Sequence, residues 1–424
     1  MPTKEEVKLT KKVLIVSSWA PPQISGSANF LYNLFSNFET EDYCLLTSKR
    51  NFSMDKGANQ RILPGKYFFF EDSPVFKIPL FPYTYTKQTR LSTKIYQKIR
   101  RGILKIRRAC AIIKSGLKII KSEKINLLLG TSDMGPALLS TFLLSKLTNT
   151  PYVLLLFDIY RDNDFSLNWK ITARLAERTL LKNASGVITF SKEMRDNYKN
   201  HYGEPEKYHT LYQCADISHY ERIRASAKNP ANNKSKNIVF TGSIYWAQQK
   251  SIQNMIQAVD TMADDSIHFL IYTPEPSKEF KELVTKYNIK GKTRILSIPP
   301  DDIPSVQCAA DILFLPLSWD TACQSMIAIA TPFKLGEYLA AERPIIVHSP
   351  PGSSLNKYAR EEGFGHVVDT EDIEMLQNAI SKILSDTMYA KTLVSAARKT
   401  FNKNHRISGS VAKLKEVMEN TNHS

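Results

Sequence analysis

The chain has 424 residues, a length that favours two domains over a single hydrophobic core. Apolar residues make up 42% and charged residues 23%, which is the composition of a globular protein and argues against extended disorder. No apolar stretch approaches the roughly 18 residues that span a bilayer, and the five cysteines form no Cys-x-x-Cys pair. The sequence therefore predicts a cytoplasmic protein with reduced thiols, neither secreted nor membrane-spanning.

The first predicted element is a strand, a loop and a helix near the amino terminus. The segment VLIVSSW, from Val13, has the pattern of a buried strand, and a helical pattern follows the loop APPQISGSAN. Gly26 lets the backbone approach a ligand, while Ser25 and Ser27 supply hydroxyl donors just before the helix. This loop is a candidate ligand contact.

A basic segment follows, and it holds most of the net charge of +16. Residues 87–124 contain 13 Lys or Arg and one acid, Glu123, so +12 falls within 38 residues. Apolar residues recur there at spacings that predict one helical face, with Gly102 and Gly116 as possible interruptions. That face comprises Ile95, Ile99, Ile103, Ile106, Ile113, Leu117 and Ile120. The predicted membrane-binding cations are Lys94, Lys98, Arg100, Arg101, Lys105, Arg107 and Arg108.

Two interpretations of the basic segment remain open. An apolar stripe beside a cationic face is typical of a helix on an anionic membrane surface. Alternatively, the isoleucines pack on the sheet and the lysines are solvated, and both can hold at once. Nucleic acid is not a predicted partner, because the chain has no zinc-finger spacing, RNA-recognition motif or helix-turn-helix.

Strand and helix patterns alternate along the rest of the chain, which predicts parallel sheets. The strand candidates YCLLTS, INLLLGTS, PYVLLLFD and GVITFS complete a first unit, residues 1–221. Residues 222–236 lack apolar periodicity and are the predicted linker. A second unit, residues 237–400, contains NIVFTGS, HFLIYT, RILSIP, DILFLPL and PIIVHS, and a helical tail, 401–424, is predicted to pack back on the first unit.

The segment TPFKLGEYLAAERP, residues 331–344, is the strongest indication of function. Thr331 is predicted to cap a helix, with Pro332 at its first position and Pro344 preventing its continuation. The helix start, at the carboxyl edge of a sheet, suits a diphosphate. Lys334 and Glu337, three residues apart, would then face the phosphates and the ribose of a nucleotide sugar. The alternative is an ordinary amphipathic helix with a solvated Lys–Glu pair.

From about Lys11 to Phe401 the chain resembles the family 4 glycosyltransferases, in particular the subgroup that builds bacterial surface polysaccharides and lipid-linked sugars. The resemblance rests on the segments PPQISGSANFLYNL, LLFDIYRD with NASGVITFSKEMRD, NIVFTGSIYWAQQKSIQNMIQAV, and TPFKLGEYLAAERPIIV. It implies the α/β GT-B fold, with two Rossmann-like, doubly wound parallel-sheet domains facing a cleft. The amino-terminal domain would bind the acceptor and the carboxyl-terminal domain the donor.

The resemblance also implies a mechanism, in which a hexose leaves a nucleotide-sugar cosubstrate and joins a saccharide or lipid-linked acceptor with retention of configuration. The implied donor-binding residues are Gly242, Ser243, Lys250, Thr331, Phe333, Lys334 and Glu337. The implied acceptor contacts are Ser25, Gly26, Ser27 and Arg161. The implied catalytic residues are Asp158, Lys334 and Glu337. Asp158 would orient or deprotonate the acceptor hydroxyl, and its alternative role is to cap its loop. Arg161 would pair with Asp158 or with an acceptor phosphate.

Two departures from the family pattern are visible. Ile329 stands where many relatives have the first of two glutamates, and Ser243, Gln248, Gln249 and Lys250 replace an Arg and a Lys-Gly pair. Diphosphate contacts would then come from backbone N–H groups and Lys334. The alternatives are a nucleotide-sugar 2-epimerase of similar fold or an inactive, glycosyltransferase-like scaffold.

We expect no metal and no other cofactor. Asp162-Asn163-Asp164 matches the Asp-x-Asp metal motif of a different glycosyltransferase fold, but it lies in the wrong lobe. The histidines show no ligand spacing. The predicted location is the cytoplasm, peripherally on the inner face of the cytoplasmic membrane.

Overall fold

The computed structural model describes residues 6–23, 25–49, 52, 61–70, 91–132, 136–162, 167–226, 235–273, 291–319 and 324–421. The chain forms two compact units. The first contains Met1–Phe190, Met194–Leu211 and Val411–Ser424, and the second contains Ser191–Glu193 and Tyr212–Ser410.

A seven-stranded parallel sheet forms the centre of the first unit, with the strand order β3-β2-β1-β4-β5-β6-β7. Val13 of β1 lies opposite Tyr43 of β2 on one side and Leu127 of β4 on the other. The inner strands are continuous apolar runs because helices cover both faces of a parallel sheet. The strands are β1 Val13–Val16, β2 Tyr43–Ser48, β3 Lys66–Phe70, β4 Leu127–Thr131, β5 Tyr152–Leu156, β6 Gly186–Thr189 and β7 Tyr208–Thr210.

Helices of the first unit within the described ranges are α1 Gly26–Phe35, α2 Leu91–Ser122, α3 Pro136–Thr148, α4 Leu167–Asn183, most of α5 Lys192–Tyr202, and the end of α14 Ile407–Glu419. The last of these packs directly on β6, where a Cβ at Gly186 would lie 2.9 Å from Val417. Lys11 also donates to the backbone oxygen of Thr421 at 2.6 Å.

The second unit has a six-stranded parallel sheet with the order β10-β9-β8-β11-β12-β13. Its strands are β8 Lys236–Thr241, β9 Ile267–Tyr272, β10 Thr293–Leu296, β11 Ile312–Pro316, β12 Ile345–His348 and β13 His366–Val368. Alternate residues of β11 point to opposite faces: Leu313 and Leu315 belong to one apolar cluster, and Ile312 and Phe314 to the other.

The helices of the second unit are α6 Ile217–Ser226, α7 Trp246–Thr261, α8 Ile303–Ala309, α9 Gln324–Ile329, α10 Leu335–Ala341, α11 Ser354–Glu362, α12 Ile373–Ser385 and α13 Thr387–Thr400. A π-helical turn, Phe401–His405, follows α13 and precedes α14. The prediction of an α/β fold with two parallel sheets is confirmed.

The division of the chain differs from the predicted boundaries. The second unit begins at Tyr212 rather than after the linker, and the chain returns to the first unit at Val411 rather than at residue 401. The start of the predicted linker, Arg222–Ser226, lies in α6. Residues 227–234 lie outside the described part of the chain.

Helix α2 corrects the predicted apolar face of the basic segment. The helix runs unbroken from Leu91 to Ser122, so neither predicted glycine interrupts it. Its buried side is centred on Gly116, where a Cβ would lie 2.5 Å from Leu144 of α3, and it includes Ala109, Ile112 and Ile119. Of the predicted face, Ile120 is buried and Ile113 half-buried, but three residues are exposed, at 51%, 61% and 38%: Ile103, Ile106 and Leu117. The side chains of Ile95 and Ile99 lie outside the described residues. Close approach at the glycine, rather than the isoleucine spacing, selects the packed side. None of the helices within the described ranges is long and apolar enough to cross a bilayer.

Candidate functional site

The candidate site lies where β8 ends in the second sheet. Thr241 is the last residue of β8, and Gly242 follows with φ of +113°, a backbone conformation that favours glycine. The Gly242 N–H donates to the backbone oxygen of Tyr272 at 2.8 Å, which fixes the turn against β9. Open α/β sheets bind ligands at this carboxyl edge.

The start of the predicted donor helix is corrected. Helix α10 begins at Leu335, and the Leu335 N–H donates to the backbone oxygen of Pro332 at 3.0 Å, so residues 332–335 form a turn that leads into the helix. Thr331 therefore does not cap the helix, and Pro332 is not its first residue. Gln213 holds the turn instead, since its Nε2 donates to the Thr331 backbone oxygen at 3.1 Å. The backbone N–H groups of residues 331–334, which were predicted to open the helix, therefore precede it.

Lys334 lies in this turn, and its ammonium group is buried. Its Nζ lies 3.6 Å from the centroid of the Phe240 ring and has no hydrogen-bond partner within the described structure. A Cβ at Gly242 would lie 3.2 Å from the same Nζ. Burial lowers the pKa of Lys334 from 10.5 to about 7, and the charge of Glu337 opposes this shift. The alternative of a solvated Lys–Glu pair is therefore wrong.

Glu337 is half-buried and is held by a residue that the sequence analysis missed. Gln307 of α8 donates from Nε2 to Glu337 Oε2 at 3.2 Å and to Thr241 Oγ1 at 2.9 Å. The Tyr220 hydroxyl donates to Gln307 Oε1 at 2.6 Å, which fixes the amide orientation. A lone glutamine in a short helix carries no motif, so no sequence pattern identified Gln307.

The other predicted donor residues differ in their exposure to solvent. Ser243 and Lys250 are exposed, and Phe333 and Thr331 are half-buried. The structure therefore brings Gly242, Lys334 and Glu337 into one cluster.

In the first unit, the predicted acceptor loop forms the start of α1. Ser25 caps the helix, since its Oγ accepts from the Ala28 N–H at 3.2 Å, and Gly26 is the first helical residue. The hydroxyls of Ser25 and Ser27 lie 3.2 Å apart. The order of strand, loop and helix follows the predicted pattern, but the helix begins at Gly26, so Ser27 lies in its first turn rather than before it.

Asp158 lies two residues beyond the end of β5. Burial raises the pKa of its carboxyl group from 3.8 to about 6. A carboxylate with such a pKa is an effective general base near neutral pH.

Arg161 does not pair with Asp158, contrary to one prediction. Its guanidinium donates to Glu177 Oε2 at 3.2 Å and to Asn197 Oδ1 at 2.8 Å, and its backbone N–H donates to Glu177 Oε1 at 3.0 Å. Glu177 also accepts from the hydroxyl of Tyr202. This network anchors the loop after β5 to α4 and α5.

Several predicted residues fall partly or wholly outside the described structure. Arg107 is exposed on α2, and Lys105 and Arg108 are half-buried there. The side chains of Lys94, Lys98, Arg100 and Arg101 lie outside the described residues, as do Asn163 and Asp164.

The class of protein that the two parallel sheets define is the two-domain α/β class with the GT-B fold. The Anabaena protein Alr3699/HepE, solved in complex with UDP and glucose, has a TM-score of 0.65 at 15% identity and covers 96% of this chain and 98% of its own. Sucrose-phosphate synthase from Thermosynechococcus elongatus has a TM-score of 0.67 at 15% identity, with 96% and 97% covered. WaaG, a glycosyltransferase involved in lipopolysaccharide biosynthesis, has a TM-score of 0.56 at 13% identity and covers 96% of this chain and 99% of its own.

The sequence of the second unit is similar to one known family. Residues 235–386, about a third of the chain, match the model of the family described as glycosyl transferases group 1. The predicted resemblance to glycosyltransferases is therefore confirmed. No curated protein matches the chain in sequence.

Proposed function

We propose that the protein transfers a hexose from a nucleotide sugar to a saccharide or lipid-linked saccharide acceptor, with retention of configuration, in the assembly of cell-surface polysaccharide. The observation that carries the proposal is the buried, unpartnered Nζ of Lys334 beside the Gly242 turn. A buried ammonium without a partner is costly. An anion at the turn would supply the missing partner, and the diphosphate of a nucleotide sugar has the required charge.

The residues around Lys334 support a nucleotide sugar over a simple phosphate. Glu337 accepts from Gln307 and retains the capacity to accept from ribose hydroxyls, because a carboxylate offers several lone pairs. In the reaction, the bond between the sugar anomeric carbon and the diphosphate oxygen breaks, and its electron pair stays on the diphosphate. Lys334 and the turn N–H groups would stabilise that developing charge.

The acceptor oxygen then bonds to the anomeric carbon and loses its proton. We assign this proton to Asp158 or to the departing diphosphate. A pKa of about 6 leaves most of the Asp158 carboxyl group ionised at pH 7, so it is able to take up the proton. This chemistry requires no metal, since lysine and backbone dipoles replace the cation.

A thermal-shift screen against UDP, GDP, ADP, CMP and dTDP sugars tests the donor proposal, because a ligand that binds only the folded state raises Tm. We expect one nucleotide series to raise Tm for the wild type and the Lys391→Met variant, and Lys334→Met to lose the shift. Lys391 is the matched control because it is exposed on α13 and is not a predicted donor contact. The proposal would be refuted if no nucleotide sugar bound, or if Lys334→Met bound as well as the wild type.

Product analysis then separates transfer from epimerisation. With the donor identified and acceptor present, the proposal predicts a glycoside with the anomeric configuration of the donor. Epimerised free sugar nucleotide in the absence of acceptor would establish the epimerase instead.

We further propose that α2 holds the protein on the inner face of the cytoplasmic membrane. The support is an exposed surface on α2 that combines Ile103 and Ile106 with the cations Arg107 and Lys114. The double variant Arg107→Glu with Lys114→Glu is expected to reduce sedimentation with phosphatidylglycerol vesicles at least about tenfold, given about 1 kcal/mol per cation.

The double variant Lys391→Glu with Lys399→Glu makes the same charge change on exposed residues of α13 and is the matched control. Equal loss in both pairs would mean that net charge, rather than the α2 surface, governs vesicle binding. Unchanged binding in the α2 variant would refute the proposal.

A further inference from the structure

A cavity of about 220 Å³ lies in the second unit alongside α11. We call it the α11 cavity. Its buried interior carries hydroxyl groups, and its mouth carries exposed charged side chains. At about 30 Å³ per water, the volume corresponds to about seven water molecules, which is the scale of one monosaccharide. The interior hydroxyls belong to Ser191, Ser354 and Tyr358, and the exposed charges to Lys192, Glu361 and Lys403.

Hydrogen bonds fix the interior groups in place. Ser354 Oγ donates to Glu193 Oε2 at 2.6 Å. His405 Nδ1 lies 2.6 Å from the Gln213 backbone oxygen, which can only accept, so Nδ1 carries the proton. Nε2 therefore accepts from the Tyr358 hydroxyl at 3.0 Å. Burial lowers the pKa of His405 to about 4, which keeps this ring neutral. The Tyr358 hydroxyl in turn accepts from Asn404 Nδ2 at 2.8 Å, so the acceptor that a ligand hydroxyl meets is the Glu193 carboxylate.

An aromatic ring supplies an apolar surface in the same cavity. Tyr212 is half-buried, lines the cavity and stacks on Tyr358 with ring centroids 5.1 Å apart and planes 12° apart. The C–H face of a sugar ring packs well on such a ring, whose face is electron-rich.

The charges of the lining argue against an anionic ligand. The lining contains two lysines and three glutamates, and the ammonium group of one lysine, Lys403, is paired with the Glu362 carboxylate at 2.6 Å. A phosphate or carboxylate would meet a net acidic surface, whereas sugar hydroxyls can donate to carboxylates and accept from an ammonium.

The cavity is distinct from the cluster proposed for the donor. Thr331 lines it, but Gly242, Lys334 and Glu337 do not. We propose that the α11 cavity binds one neutral saccharide unit, either a free sugar or the terminal unit of a glycan. This proposal stands independently of the nucleotide-sugar proposal, because it rests on a different set of side chains.

Saturation-transfer NMR with methyl glycosides of glucose, galactose and N-acetylglucosamine tests the proposal. At least one glycoside is expected to bind the wild type, and Glu361→Lys and Tyr212→Leu are each expected to weaken its binding tenfold or more. Lys357→Glu is the matched control, since Lys357 is exposed on the same helix and does not line the cavity. Glu361 is also exposed, so its replacement leaves the fold intact.

Absence of binding by every glycoside would overturn the proposal, and so would equal binding by the wild type and both cavity variants. The methyl glycosides of the matching disaccharides distinguish the two sources: a disaccharide that binds ten times more tightly identifies a glycan end, and equal affinities identify a single sugar. The Glu337→Ala variant separates the two proposals, because it should lose the nucleotide sugar but retain the glycoside.

Discussion

Donor binding is expected to weaken as the pH rises above 7, because Lys334 must be protonated to hold a diphosphate. In the unliganded protein its pKa is about 7, against 10.5 for an ordinary lysine. A bound diphosphate raises this pKa again, so binding takes up a proton. Each pH unit above 7 then approaches a tenfold loss of affinity, and from pH 7 to pH 9 the loss is about fiftyfold.

Isothermal titration calorimetry in buffers of different ionisation enthalpy measures this proton directly. We expect uptake of about 0.5 proton at pH 7 and about 0.9 at pH 8, from the fraction of neutral lysine at each pH. The Lys334→Met variant should bind the donor weakly, and its affinity should not depend on the pH through a lysine at position 334. Any pH dependence that remains in the variant then measures the titration of the donor itself. Wild-type affinity that stays constant between pH 7 and pH 9 would refute the reasoning.

The same pKa predicts that Lys334→Met, which weakens donor binding, stabilises the folded protein. The folded pKa lies below the unfolded pKa, so between pH 7 and pH 10.5 the unfolded chain binds more protons and stability increases with pH. At pH 7 the cost of burying Lys334 amounts to about 4 kcal/mol. Lys334→Met should therefore raise the free energy of unfolding at pH 7 by up to that amount in urea denaturation. A destabilised variant would contradict the burial of an unpaired ammonium.

Three further predictions concern stability and share the same denaturation assay. Gly336→Ala should cost about 2 kcal/mol, because the added Cβ would clash with the backbone oxygen of Gln213; a cost near zero would contradict that packing. Glu177→Ala should cost about 3–5 kcal/mol, since it leaves Arg161 without its main anionic partner, and a neutral result would show the pair to be dispensable. Ile112→Ala should cost about 2–4 kcal/mol and Ile106→Ala less than about 0.5 kcal/mol, because only the first is buried; the reverse order would restore the predicted face of α2.

The central strands of both sheets were predictable because burial on both faces produces continuous apolar runs. Ten predicted strands correspond to observed ones, and the three that were missed are β3, β7 and β13. All three are edge strands. β7 and β13 have three residues each and are only partly buried, so their sequences lack the apolar run that identifies a central strand. β3 has five residues, KYFFF, but is also mostly not buried, and the fourth edge strand, β10, was predicted.

The site was predictable in its residues but not in its local geometry. The pattern around Lys334 and Glu337 indicated a phosphate and ribose site, yet the turn before α10 depends on Gln213, which lies 118 residues away in the chain. The buried side of α2 likewise depends on a close approach between Gly116 and Leu144. Contacts of this kind are set by tertiary packing, which local spacing and capping preferences do not encode.

The return of the chain to the first unit at Val411 affects how the protein can be divided for expression. A fragment that ends at Leu211 would lack α14 and would uncover Gly186 on β6, together with the backbone acceptor of Lys11 at Thr421. A soluble first unit would therefore need residues 411–421 joined back to Leu211 through a designed linker, as in a circularly rearranged gene. The second unit, in contrast, consists almost entirely of the single stretch Tyr212–Ser410 and is the natural fragment for isolated study.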